Sequence, residues 1–124
     1  MKFPAICENH LFAKAYSKGK RYVTERLAVY LLPDYAARRL AKAHPRGITV
    51  NRIGLTVSKK LGSAVVRNRT KRILREGFRE ATAATPIKTG FLIVIAARER
   101  ATKESSTAIA RDLTRAFKKL ELLL

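Results

Sequence analysis

Acidic residues are scarce in this chain. Nine Asp and Glu stand against 27 Lys and Arg in 124 residues, a formal net charge of +18. The acids are Glu8, Glu25, Asp34, Glu76, Glu80, Glu99, Glu104, Asp112 and Glu121, scattered over separate segments. No pair of them suggests a two-metal phosphodiesterase site. His10 and His44 stand isolated, with no cysteine or acid at ligand spacing, so no metal site is expected. The single cysteine, Cys7, excludes an internal disulfide and has no activating partner nearby in sequence. It reads as an inert thiol, suited to a reducing cytoplasm. A phosphate-binding Gly-rich loop and a dinucleotide fingerprint are both missing, as are repeats and low-complexity tracts. No apolar run reaches the ~18 residues of a membrane span, and the opening MKFPAICENH is too short in apolar residues for a signal peptide. No catalytic residue is expected in the chain.

What is present is positive charge on an otherwise ordinary globular composition. The hydrophobic fraction is 47%, enough for one core, and the length suits a single domain over residues 1–124. Self-repulsion at this charge costs stability, which points to a neutralising partner. Nucleic acid comes first among such partners, ahead of an anionic membrane surface.

The charge concentrates in Ser58 to Arg79, SKKLGSAVVRNRTKRILREGFR. Wound as a helix from Arg67 at about 100° per residue, this stretch separates into two stripes. Val66, Thr70, Ile73, Leu74, Gly77, Phe78 and Ala81 gather on one side. Asn68, Arg69, Lys71, Arg72, Arg75 and Arg79 gather on the other, with Arg67 at the seam. Glu76 and Glu80 neutralise little of that row. One face packs while the other meets a polyanion.

Around it, HLFAKAYSKG reads as a short helix capped by Asn9 and stopped by Gly19. Phe12 and Tyr16, four apart, share a face of it. They are either a core stripe or a surface on which unpaired bases stack. RYVTERLAVYLLP reads as one strand ended by Pro33, with Leu27, Val29 and Leu31 opposite Arg26, Ala28 and Tyr30. Residues 34–44 form either a short helix capped by Asp34 or a loop, broken by Pro45-Arg46-Gly47. In ITVNRIGLTVSKK, Ile53, Leu55 and Val57 share one face and Gly54, Thr56 and Ser58 the other. The two strands together leave a shallow surface bearing Ala28, Tyr30, Gly54 and Thr56, better suited to a groove than to a core. ATAATPIKTG reads as a linker, and FLIVIAA as a strand buried on both faces. A last helix, capped by Ser105 or Ser106, carries the stripe Ile109, Leu113, Phe117, Leu120 and Leu124.

Major-groove readers are usually small helical domains. A β-rich domain pairing a basic helix with aromatics instead suits structured RNA together with a single-stranded segment. A ribosomal or assembly RNA-binding protein shares this profile, and a basic DNA-binding module is a third reading.

The run RIGLTVSKKLGSAVVRNRTKRILREGFR resembles the bacterial ribonuclease P protein family. The resemblance rests on Arg67-Asn68-Arg69-Thr70-Lys71-Arg72-Ile73-Leu74-Arg75, on the preceding Arg52 to Lys60, and on the order of Phe12, Tyr16, Gly19, Arg26, Tyr30 and FLIVIA. It implies a two-layer α/β (α+β) fold ordered αβββαβα with a left-handed crossover. It also implies the protein subunit of a ribozyme that removes the 5′ leader of precursor tRNA, one protein per RNA, with Mg²⁺ held mainly by the RNA. The implied catalytic-RNA contacts are Lys59, Lys60, Arg67, Arg69, Lys71, Arg72, Arg75 and Arg79. The implied leader cleft holds Phe12, Tyr16, Arg26, Tyr30, Thr56, Arg67 and Asn68. No membrane or small-molecule partner is implied. Cys7 and Glu8 depart from the family, which often has basic residues there, and residues 34–47 form a longer, Ala/Arg-rich connection.

Overall fold

The structure, a computed structural model, describes residues 4–6 and 8–124; Cys7 lies outside the described residues. Four helices and four strands follow one another as α1 (Asn9–Lys18), β1 (Lys20–Val23), β2 (Leu27–Pro33), α2 (Ala37–Ala43), β3 (Arg52–Thr56), α3 (Ala64–Ala84), β4 (Phe91–Ala97) and α4 (Ser106–Lys119). The strands form one sheet in the order β1-β2-β4-β3. β2 is antiparallel to β1 and β4, while β3 and β4 run parallel, joined through α3. This is the expected order with α2 added inside the β2–β3 connection.

β4 is central because its sequence has no polar side. Leu92, Ile93, Val94 and Ile95 are all buried, as a strand covered on both faces requires. Alternation then sorts the sheet into two layers. On one face Leu27, Val29, Leu31, Ile53, Ile93 and Ile95 meet α3 and α4 in the main core. On the other, Leu32, Leu92 and Val94 meet Ile6 and Ala15 beneath α1 in a smaller cluster. The segment before α1 completes the sheet edge, with Ile53 N–H donating to Pro4 O (2.8 Å) and Ile6 N–H donating to Ile53 O (3.1 Å).

The expected single strand at residues 21–33 is two strands. Thr24 makes the break: its N–H donates to Leu27 O (2.8 Å), and its Oγ1 accepts from the N–H groups of Arg26 and Leu27 (both 3.2 Å). A hydroxyl supplies this turn where glycine or proline would have signalled it. Residues 81–84, read as linker, are the last turn of α3, with Ala81 buried. Leu124 does not dock; it is 84% exposed. Helix α4 ends at Lys119, Glu121 turns the chain at φ 59°, and Leu122 is buried instead. The N-cap of α1 is Glu8 rather than Asn9, and that of α2 is Ala36 rather than Asp34, in neither case with a side-chain cap bond.

Asp34 has a different task. Its buried carboxylate takes two hydrogen bonds from Arg52, Nε to Oδ2 (2.8 Å) and Nη2 to Oδ1 (2.9 Å), and one from the Ala36 N–H (3.0 Å). The pair ties the end of β2 to the start of β3. Burial pushes Asp34 up, but Arg52, the Ala36 N–H and the nearby charge of Arg39 together hold the carboxyl below its ordinary value. A depressed folded value stabilises the fold at pH above the unfolded value of about 3.9. That stabilisation is lost as pH falls through the folded value. Asp34→Ala leaves the Arg52 guanidinium with Glu8 but without its buried partner. It is expected to cost roughly 2–3 kcal/mol at neutral pH, below the full cost of an unpaired buried charge. In urea titrations the gap to wild type should narrow as pH drops below about 4; a gap independent of pH would remove Asp34 as its source.

Gly77 lets α3 and α4 approach closely. A Cβ there would lie 2.5 Å from Ile109 Cγ2, 2.8 Å from Ile109 Cβ and 3.1 Å from the Ser106 carbonyl oxygen. Gly77→Ala should therefore destabilise by about 1–3 kcal/mol through overpacking, despite alanine's better helix propensity. A denaturant midpoint equal to or above wild type would show that the helices separate without cost.

Candidate nucleic-acid interface

Helix α3 begins where Ser63 Oγ accepts from the Val66 N–H (3.4 Å). The apolar stripe is as expected: Thr70, Ile73, Leu74, Gly77, Phe78 and Ala81 are buried, and Val66 is half-buried. Thr70 is tolerated inside because its hydroxyl donates to Val66 O (2.8 Å). On the other side Asn68, Arg69, Arg72, Arg75 and Arg79 are exposed, while Lys71 and the seam residue Arg67 are half-buried. Arg67, Lys71, Arg72 and Arg75 form no ion pair among the described residues. Glu80 turns toward α4, where its Oε1 accepts from Ser106 Oγ (2.8 Å). Lys59 and Lys60 stand exposed in the 3-10 turn Lys59–Leu61 that leads into the helix.

The cationic row has two flanks. Arg69 Nη1 donates to Thr102 O (2.8 Å), on the side away from α1. Lys71, Arg75 and Arg79 turn toward α1 and border an open cleft of about 550 Å³, whose other walls are Ile6, Phe12 and Gly54. At about 100° per residue Arg67 falls on that same flank. Cations and an aromatic ring thus share one concavity.

Phe12 and Tyr16, alike in sequence, part company here. Phe12 is half-buried against the minor core. It occupies space that only glycine leaves open, since a Cβ on Gly54 would lie 2.5 Å from its Cε1 and 2.6 Å from its Cζ. Tyr16 is 40% exposed. Its ring meets Tyr30 edge-on (centroids 4.9 Å apart, planes at 87°), and its hydroxyl lies 2.6 Å from Thr56 Oγ1. Tyr16, Tyr30 and Thr56 therefore come together from α1, β2 and β3 as one oriented cluster. Asn68 points outward from α3.

Arg26 does not join them. Its guanidinium Nε lies 2.9 Å from Glu104 and its Nη1 3.4 Å from Asp112. Asp112 belongs to α4, on the main-core face, so Arg26 is drawn to the side of the sheet away from Tyr16 and Tyr30. It sits in the β1–β2 turn, where strand alternation no longer governs direction. Sequence reasoning placed Gly54 on the groove surface but missed it as the seat of Phe12; a glycine inside a strand is the signal that marks such a close approach.

An excess of cations beside Phe12 in one cleft suits a polyanionic partner. Over residues 2–121 the sequence matches the Ribonuclease P family. The ribonuclease P protein component of Clostridium kluyveri is 32% identical over 117 residues, 94% of each chain. The solved RNase P protein of Staphylococcus aureus superposes with a TM-score of 0.72 at 28% identity, covering 99% of this chain and 100% of that one. The Thermotoga maritima RNase P protein shares the fold, with a TM-score of 0.67 at 23% identity over 90% of this chain and 92% of that one. The chain belongs to the ribonuclease P protein family. It is accordingly a component of a tRNA-processing ribonucleoprotein, with the RNase P RNA as partner.

Gly54→Ala should push Phe12 off its seat while leaving the cationic row untouched. Tyr16→Phe removes only the hydroxyl contact to Thr56. Melting temperature should fall by a few degrees for Gly54→Ala and hardly at all for Tyr16→Phe, whose hydroxyl is partly solvated. Equal losses would mean that both rings are structural.

Proposed function

We propose that this protein docks on the catalytic RNA through the outer row of α3 and holds the 5′ leader of precursor tRNA in the cleft beneath α1. The observation that carries this reading is the shared cleft, where Lys71 and Arg75 face Phe12 across the Gly54 floor. Cations supply phosphate contacts that are independent of sequence, and rings supply stacking that every base satisfies. Arg72 on the outer face, with Arg79 at the rim of the cleft, suits an RNA surface lying along the helix; Lys59 and Lys60 extend that row. Tyr16, with Tyr30 and Thr56 fixing its ring, suits an unpaired base of the leader. The described residues contain no group of three His, Cys, Asp or Glu placed to hold a metal. We assign Mg²⁺ and the hydrolysis to the RNA, in a one-to-one cytoplasmic particle, as the family resemblance implies.

The test is cleavage of precursor tRNA at low Mg²⁺ by a bacterial RNase P RNA with and without the protein. Leader removal should require both components, because the protein's charge matters most when divalent cations are few. Arg72→Ala should lower the magnitude of the salt slope of RNA binding by about one contact. Unchanged slope, or cleavage by the protein alone, would overturn the assignment.

A further inference from the structure

A second recess lies on the other flank of α1. It occupies about 240 Å³ between α1 and α2. Leu11, Leu32 and Leu92 give it an apolar floor, Tyr35 a wall and Arg39 a rim. Tyr35 is 79% exposed, a large ring left in solvent. It is nonetheless held in place. Lys14 Nζ sits 4.5 Å from its ring centroid, and its backbone is pinned on both sides: Asp34 N–H donates to Gly90 O (2.9 Å), and Ala36 N–H donates to Asp34 Oδ1 (3.0 Å). Behind it, the Asp34–Arg52 pair fixes the root of the turn.

The electrostatics of the recess ask for an anion. Arg38, Arg39 and Lys42 are exposed along α2 and form no ion pair among the described residues. The two acids at the recess, Glu8 and Asp34, are both held by Arg52. A ligand that is flat and apolar in one part and anionic in the other fits this arrangement; a nucleotide is such a ligand. Both hollows border one helix: Phe12 serves the cleft, Leu11 and Lys14 the recess. An α-helix with side chains is only ~10–12 Å across, a ridge that an extended RNA strand crosses.

We infer that the α1–α2 recess is a second single-strand site, in which a base from the 5′-distal part of the leader stacks on Tyr35 while its phosphates meet Arg38 and Arg39. This rests on the leader occupying the cleft, and it assigns a role to the Ala/Arg-rich connection between β2 and β3.

The experiment uses the assembled holoenzyme and labelled precursor tRNAs with two leaders, one ending within the cleft and one several nucleotides longer. Wild type should bind the longer leader more tightly. Tyr35→Ala should weaken only that complex, by about five- to tenfold, and Tyr35→Phe should restore it. Arg39→Ala should weaken it too and reduce its salt dependence. Binding of the short-leader substrate and of the catalytic RNA should be unchanged. Equal loss with both leaders, weaker binding of the catalytic RNA, or no loss at all overturns the recess assignment. Failure of the cleft reading has its own signature: Tyr16→Ala without effect on the short-leader substrate.

Discussion

The burial of one stripe of α3 against the sheet and α4 is the contact on which the rest of the molecule depends. Six residues of a 21-residue helix are buried, from Thr70 to Ala81. They must offset the repulsion among the cations displayed on the same helix. Apolar burial is worth about 25 cal/mol per Å² and does not screen with salt, whereas exposed like charges weaken over a Debye length of about 8–10 Å at ordinary ionic strength. The fold can therefore hold the row in place without neutralising it. Gly77 matters in this light because it brings the Ile109 side of α4 into contact with the stripe. Ring contact between Phe78, beside Gly77, and Phe117, about two turns beyond Ile109 in α4, closes the same interface edge-on at 5.9 Å.

The sheet divides labour between its faces. The main-core face is covered by α3 and α4 over the central strands. The opposite face is covered by a single short helix, whose moderate apolar character buries Ala15 but leaves Tyr16 half in water. A sheet face covered by one helix leaves hollows on both flanks of that helix. In this protein one flank meets the cations of α3 and the other meets α2. Concavity thus follows from the count of helices per face, and its chemistry from which neighbour borders it.

Much of this was legible in the sequence, for a physical reason. Strong periodicity leaves few alternatives, and the two stripes of α3, the alternation in β2 and β3 and the doubly buried β4 all carried it. Gly19 as the stop of α1 was legible too. The cause is close approach, since a Cβ there would lie 2.5 Å from Ala15 O and 2.9 Å from Leu31 O. What was hidden depended on tertiary partners. The β1–β2 turn uses Thr24, whose hydroxyl also donates to Asp112 Oδ2 (2.9 Å), 88 residues away. Leu124 continued the apolar spacing of α4, but its helix had already ended. Arg26 and Arg72 look alike in sequence; only the fold reveals that one is paired with acids and the other is not.

That last difference extends to the whole charge distribution. Among the described residues, five of the nine acids, Glu8, Glu25, Asp34, Glu104 and Asp112, are in ion pairs, and they serve three arginines, Arg26, Arg52 and Arg100. Those arginines tie turns to strands or helices: Arg52 joins β3 to the end of β2, Arg26 joins the hairpin turn to α4, and Arg100 reaches Glu25 across the same turn. Scarce negative charge is spent at joints. The face of α2 receives none of it and α3 only Glu76 and Glu80, although more acids there would have lowered self-repulsion. Exposed ion pairs contribute only about 0–1 kcal/mol to stability, so the fold loses little by leaving Arg72, Arg75, Arg38 and Lys42 without an ion pair among the described residues.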